Sequence, residues 1–204
     1  MRLVFASNNT HKLDEVRAMM PAGIEVLSLH DIGFEQEIAE TGSTLEENSR
    51  IKAAAVAAFI GERKIDGVFA DDTGLEIDAL GGKPGVYTAR WYLTEGEREK
   101  AKDERAIFAA NRAKALRELE GKEDRGAQFR TVITLIKDGQ TTQVEGIVRG
   151  RIAEEEYGEG GFGYDPVFIP EGYDKTFGEL PAAIKNSISH RARALKALVE
   201  YLTA

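Results

Sequence analysis

Val68-Phe69-Ala70-Asp71-Asp72-Thr73-Gly74-Leu75 is a short apolar run that ends in two adjacent carboxylates, a hydroxyl and a glycine. Apolar runs of this length read as buried strands, and strand ends in α/β sheets open onto the ligand crevice. Neighbouring carboxylates repel each other unless a cation or a shared proton offsets the cost. The run therefore predicts a strand over 67–70, an acidic turn at Asp71-Asp72, and hard oxygen ligands beside a crevice. Such ligands suit Mg2+, which is generally bound together with phosphates. Asp72 is the candidate metal ligand, general base, or both, and Thr73 a donor to the same phosphates. The competing reading is a turn in which Asp71 caps backbone amides.

On the N-terminal side, 2–6 reads as a strand and 24–29 as another. Between them lie a polar turn and a helix with Leu13, Val16 and Met20 on one face, ended by Gly23. Ser43-Thr44-Leu45-Glu46 matches a capping box that opens an alanine-rich helix to about Ile60. On the C-terminal side, 75–80 extends beyond the acidic turn and Gly81-Gly82-Lys83-Pro84-Gly85 breaks it. A charged helix is expected over 97–119. Two β-rich runs, 128–137 and 141–148, are joined by Asp138-Gly139, a hairpin signal. A glycine-rich loop, 158–165, precedes a short strand at 167–169, and the last helix spans roughly 189–202. This order predicts one α/β domain over 1–204, an elongated mixed sheet flanked by helices, with two lobes and a central active-site cleft.

Bulk properties narrow the function. The 204 residues carry a net charge of −8, which disfavours nonspecific nucleic-acid binding because that requires Lys and Arg against phosphates. There is no cysteine, so disulfides and thiolate metal sites are excluded. Met1 to Asn8 holds too short an apolar run for a signal peptide, and no run reaches the length of a membrane span. The expected compartment is the cytoplasm, with no membrane partner.

An anionic substrate must then be held by local positive charge. Ser7-Asn8-Asn9-Thr10-His11-Lys12 lies between a strand and a helix, where free amides and the helix dipole attract anions. An ordinary N-cap explains the same residues, and the Walker pattern is missing. Glu40 precedes the second helix and is placed to swing toward Asp71-Asp72, while Asn48 and Lys52 share a helix face. Gly160-Gly161-Phe162-Gly163-Tyr164-Asp165-Pro166 combines close backbone approach with aromatic faces for stacking a base. A β-bulge with core aromatics is the competing reading. Lys185-Asn186-Ser187-Ile188-Ser189-His190-Arg191 places basic residues at the start of a helix, where they oppose its dipole.

In this order, the segments from Ser7 to Arg191 resemble the inosine/xanthosine triphosphate pyrophosphatase family. The carrying signatures are Ser7-x-Asn9-x-x-Lys12, Glu40-Thr41-Gly42, Glu47-Asn48, Ala70 to Leu75, Gly81-Gly82-x-Pro84-Gly85, Gly160 to Pro166 and Ser189-His190-Arg191. The resemblance implies a Mg2+-dependent homodimeric hydrolase that cuts non-canonical purine nucleoside triphosphates (ITP, dITP, XTP) to monophosphate and pyrophosphate. It implies phosphate binding by Ser7, Asn8, Asn9, Thr10, His11 and Lys12, with Lys52 as a further phosphate contact. Asp72 becomes the proton acceptor and a metal ligand, Glu40 the second metal ligand, and Thr73 a substrate contact. Phe162, Gly163, Tyr164, Asp165, Lys185, His190 and Arg191 enclose the base. The segment before Lys185, Leu180 to Ile184, lacks the acidic residue often found there. Three rivals are a Maf-like pyrophosphatase with other base preferences, a non-catalytic nucleotide sensor and a sugar-phosphate phosphatase.

Overall fold

The computed structural model of the chain describes residues 1–61, 63–95 and 103–203, with backbone alone at 93–95. The elements run β1 (Arg2–Phe5), α1 (Thr10–Met19), β2 (Glu25–Leu27), α2 (Leu45–Ile60), β3 (Gly67–Ile77), β4 (Lys83–Gly85), α3 (Glu104–Glu118), β5 (Gly126–Lys137), β6 (Gln140–Ile152), β7 (Phe168–Pro170), α4 (Ala182–Ile188) and α5 (His190–Thr203). One seven-stranded sheet has the order β2-β1-β3-β5-β6-β7, with β4 paired to β3. Pairing of β1 with β2 and with β3 is parallel, whereas β3–β4 and β6–β7 are antiparallel, so the sheet is mixed as expected. Among the described residues, no helix is long and apolar enough to cross a membrane.

The chain divides into two compact units, 1–72 with 131–146 and 190–204, and 73–130 with 147–189. In the first, alternate residues of β1 and β3 feed two cores. Leu3, Phe5 and Phe69 pack with Val16 of α1, Ile133 and Leu135 of β5 and Leu198 of α5, the two Phe rings stacking at 5.0 Å. Val4, Val68 and Ala70 face Ala53, Val56 and Ile60 of α2. In the second unit, Leu75, Ile77, Trp91, Leu119, Phe129, Phe168 and Phe177 form one core.

The chain does not turn at Asp71-Asp72: β3 runs unbroken from Gly67 to Ile77, and Leu75, Glu76 and Ile77 pair with Gly85, Pro84 and Lys83 of β4. Gly74 admits this approach, because a Cβ there would lie 3.0 Å from the Gly85 carbonyl oxygen. Period-two alternation separates the carboxylates. Asp71 follows Phe69 onto the α1/α5 face and Asp72 follows Ala70 onto the α2 face, so neither shares a cation with the other by being in one turn.

Smaller boundaries also move. α1 ends at Met19 with Met20 as its C-cap, not at Gly23, because Pro21 offers no N–H and drives Met20 to ψ 137°. The cap of α2 sits one residue later than the Ser43 box: Thr44 Oγ1 accepts from the Glu47 N–H at 3.1 Å, and Glu47 accepts from the N–H and hydroxyl of Ser43. Gly81 and Gly82 do break the chain, but the breaker contains β4. α3 is capped by Asp103; the expected start near 97 lies outside the described residues. Asp138 and Gly139 both have positive φ (51° and 73°), the pair demanded by a type I′ hairpin between β5 and β6. The segment before the last helix, to which no element was assigned, contains α4, and the short strand runs one residue later than 167–169.

Gly146 of β6 lies against the backbone of α5, where an added Cβ would overlap the His190 carbonyl oxygen and the Ala194 nitrogen. Neither obstacle is a flexible side chain. Gly146→Ala is therefore expected to lower unfolding stability by about 1–3 kcal/mol, measurable by urea denaturation; an unchanged midpoint would show that α5 shifts freely.

Candidate active site

The β1–α1 turn is organised first by its own cap. Asn9 Oδ1 accepts from the Lys12 N–H at 3.0 Å, and the Asn9 N–H donates to Ser7 Oγ at 3.2 Å. Ser7 and Asn9 are half-buried, while Asn8, Thr10 and His11 are exposed. From the first turn of α1, Lys12 reaches Asp71 Oδ1 at 2.9 Å. Arg191, in the first turn of α5, donates through Nε to Asp71 Oδ2 at 3.2 Å and through Nη1 to Glu15.

Asp71 is therefore a buried carboxylate with two cations on it. Burial alone would push its pKa up, but Lys12, Arg191 and Lys52 outweigh that and hold it far below the usual carboxylate range. Burial lowers Lys12 despite the attraction of Asp71, helped by repulsion from Lys52 and Arg191. Arg191 is raised, the pull of Asp71 and Glu15 exceeding the cost of its burial. His190 is buried beside it.

The opposite face of β3 carries a different arrangement. Lys52, two turns into α2, donates to Glu40 Oε1 at 2.8 Å and to Asp72 Oδ1 at 2.9 Å. Burial dominates at Asp72 and raises its pKa, Lys52 and Lys12 opposing and Glu40 assisting the rise. At Lys52 burial is overcome by Asp72, Glu40 and Asp71, and the ammonium is strengthened. Glu40 is held in reach by the segment after it: the Gly42 N–H donates to Asn48 Oδ1 at 2.8 Å, and a Cβ on Gly42 would crowd that same oxygen at 2.7 Å.

This pair is the candidate metal position. Among the described residues, no group of three or more His, Cys, Asp or Glu side chains is placed to hold an ion. Two hard carboxylates sharing one ammonium nevertheless fit Mg2+, which takes one or two protein carboxylates and completes its shell with waters and substrate phosphates.

The second unit holds its own cluster. The buried Asp165 carboxylate accepts from the Phe162 N–H and from Lys185 Nζ, both at 2.7 Å through Oδ2. Lys185, on α4, also lies 4.7 Å from the Phe162 ring centroid. Gly161 has φ +70°, and a side chain there would run into Asp165. The Gly163 carbonyl accepts from Arg112 Nη1 at 2.9 Å, and Arg112 Nε pairs with Glu156 at 3.0 Å. Tyr164 is buried, which pushes its phenol up, and its hydroxyl donates to the Thr88 carbonyl at 3.0 Å. Thr73, just beyond Asp72 on β3, is half-buried.

Thus Lys12 and Arg191 meet on Asp71, Glu40 and Asp72 meet on Lys52, and Phe162, Asp165 and Lys185 meet in the other unit. Three supporting residues escaped the sequence reading as site members. Glu15 stands three residues after Lys12, a spacing that puts both on one helix face. Asn48 was visible one turn before Lys52. Arg112 gave no signal, since a lone arginine in a charged helix reads as solvated.

Comparison with known proteins bears on what these clusters serve. The pattern that defines the Ham1 family matches residues 3–201. A protein named dITP/XTP pyrophosphatase from Flavobacterium johnsoniae is 48% identical over 204 residues, spanning 100% of this chain and 99% of the relative. Another of that name from Bacillus subtilis is 48% identical over 205 residues, spanning 98% of this chain and 96% of its own length. The solved structure of the Staphylococcus aureus Ham1 protein superposes with a TM-score of 0.83 at 38% identity, covering 100% of this chain and 98% of that one.

Proposed function

The chain belongs to the Ham1 family, and we propose that it hydrolyses non-canonical purine nucleoside triphosphates (dITP, ITP and XTP) to the monophosphate and pyrophosphate. The observation that carries the reading is Asp72: a buried carboxylate of raised pKa, paired with Glu40 through Lys52, on a strand whose other face presents Lys12 and Arg191. Burial raises the carboxylate's affinity for a proton, which is the direction proton abstraction requires.

In this mechanism Asp72 accepts the proton of the attacking water. Glu40 and Asp72 would hold Mg2+, which when bound neutralises phosphate charge and so lowers the barrier to attack. Ser7 to Lys12 and the start of α1 bind the phosphates. The Phe162 ring, carried over the Lys185–Asp165 pair, offers the stacking face for the base, and His190 and Thr73 complete the contacts. We further infer a homodimer acting in the cytoplasm, with no nucleic-acid or membrane partner.

Hydrolysis of dITP in 18O-labelled water tests the point of attack. Label in the monophosphate is expected; label in the pyrophosphate would overturn attack at the α-phosphorus. Phe162→Ala should raise KM for every purine nucleotide, losing about 1–3 kcal/mol of stacking, with kcat little changed. An unaltered KM would remove Phe162 from the base site.

A further inference from the structure

We propose that Lys52 holds the place of the divalent cation between Glu40 and Asp72, so that in the nucleotide-free protein its ammonium offsets part of their charge and the metal enters only as Lys52 withdraws. The inference rests on the reading of those two carboxylates as the metal pair. Its geometric ground is that Nζ lies 2.8 Å from Glu40 and 2.9 Å from Asp72. An ammonium and a metal ion drawn to the same two oxygens exclude one another by volume and by charge.

The surroundings fit a place-holder. Lys52 is 8% exposed on α2, so its ammonium has little access to water as an alternative partner. The backbone two residues after Glu40 is tied to α2 by the Gly42–Asn48 bond. Lys12 is bonded to Asp71 on the opposite face of β3 and, among the described residues, makes no hydrogen bond to Asp72, on which it acts only through space. A polyanionic phosphate chain is the chemical group that draws the ammonium off, since it replaces the lost carboxylates as hydrogen-bond acceptors. Metal occupancy is thereby tied to the presence of substrate.

The test is calorimetric titration of Mn2+ into the nucleotide-free full chain, comparing the parent with Lys52→Met, Lys52→Gln and Lys12→Met. The two Lys52 variants should bind Mn2+ at least about tenfold more tightly than the parent. Lys12→Met, which removes the same charge from the other strand face, should gain far less. Mn2+ binding by Lys52→Gln no tighter than the parent would overturn the proposal, as would an equal gain in Lys12→Met. Lys52→Gln keeps a polar end for the carboxylates, so the comparison survives poor folding of Lys52→Met. No nucleotide enters this titration. Failed hydrolysis with a large Mn2+ gain would count against the proposed activity alone, and normal hydrolysis without the gain against the role of Lys52 alone.

Discussion

Asp72→Asn is expected to keep the fold and lose about 10²–10⁴-fold in kcat, the range for a positioned general base, with KM for dITP changed only a few-fold. The fold survives because the amide is isosteric and Lys52 retains Glu40 at 2.8 Å. The loss falls on kcat because the carboxylate accepts a proton only as the reaction proceeds, so removing it spares ground-state binding. Steady-state kinetics with dITP and Mg2+ checks this. A rise in KM alone would make Asp72 a binding residue and leave the base unidentified.

Arg191→Ala should act first on stability. The guanidinium is 2% exposed and bonded to both Asp71 and Glu15. Its removal leaves a buried carboxylate with Lys12 as its close cation. Breaking a buried ion pair from one side costs about 3–5 kcal/mol, read from chemical denaturation at pH 7. The pH dependence has a definite sign. Asp71 titrates lower in the folded state than in the unfolded chain, so its contribution is complete above the ordinary aspartate value of about 3.9. It is lost as pH falls through the depressed native value, and the gap between parent and variant should narrow in that acid range. Equal stability at pH 7 would mean that the Asp71 network is dispensable to folding.

These two expectations separate consecutive residues by role, and that separation was the part least visible in the sequence. Asp71-Asp72 read as one acidic turn because apolar runs commonly end where charge begins. The strand continues instead, because each carboxylate finds cations on its own face: Lys12 and Arg191 for one, Lys52 for the other. Such partners lie 20 to 120 residues away, beyond any local pattern. Local chemistry was legible where it was sufficient. Asp138-Gly139 set the hairpin, and the spacing of Asn48 and Lys52 set a shared helix face. α4 was missed because seven residues between Pro181 and Ser189 carry too little periodicity to stand out. Asp165, expected to help enclose the base, accepts from Lys185 and the Phe162 amide, an arrangement that depends on α4.

The most direct measurement is a hydrolysis panel of dITP, ITP, XTP, GTP, ATP, CTP and UTP with Mg2+, resolving pyrophosphate from orthophosphate. Pyrophosphate released chiefly from dITP, ITP and XTP is the predicted result. Orthophosphate as the product, preferred turnover of CTP or UTP, or no turnover of any of the seven would contradict it.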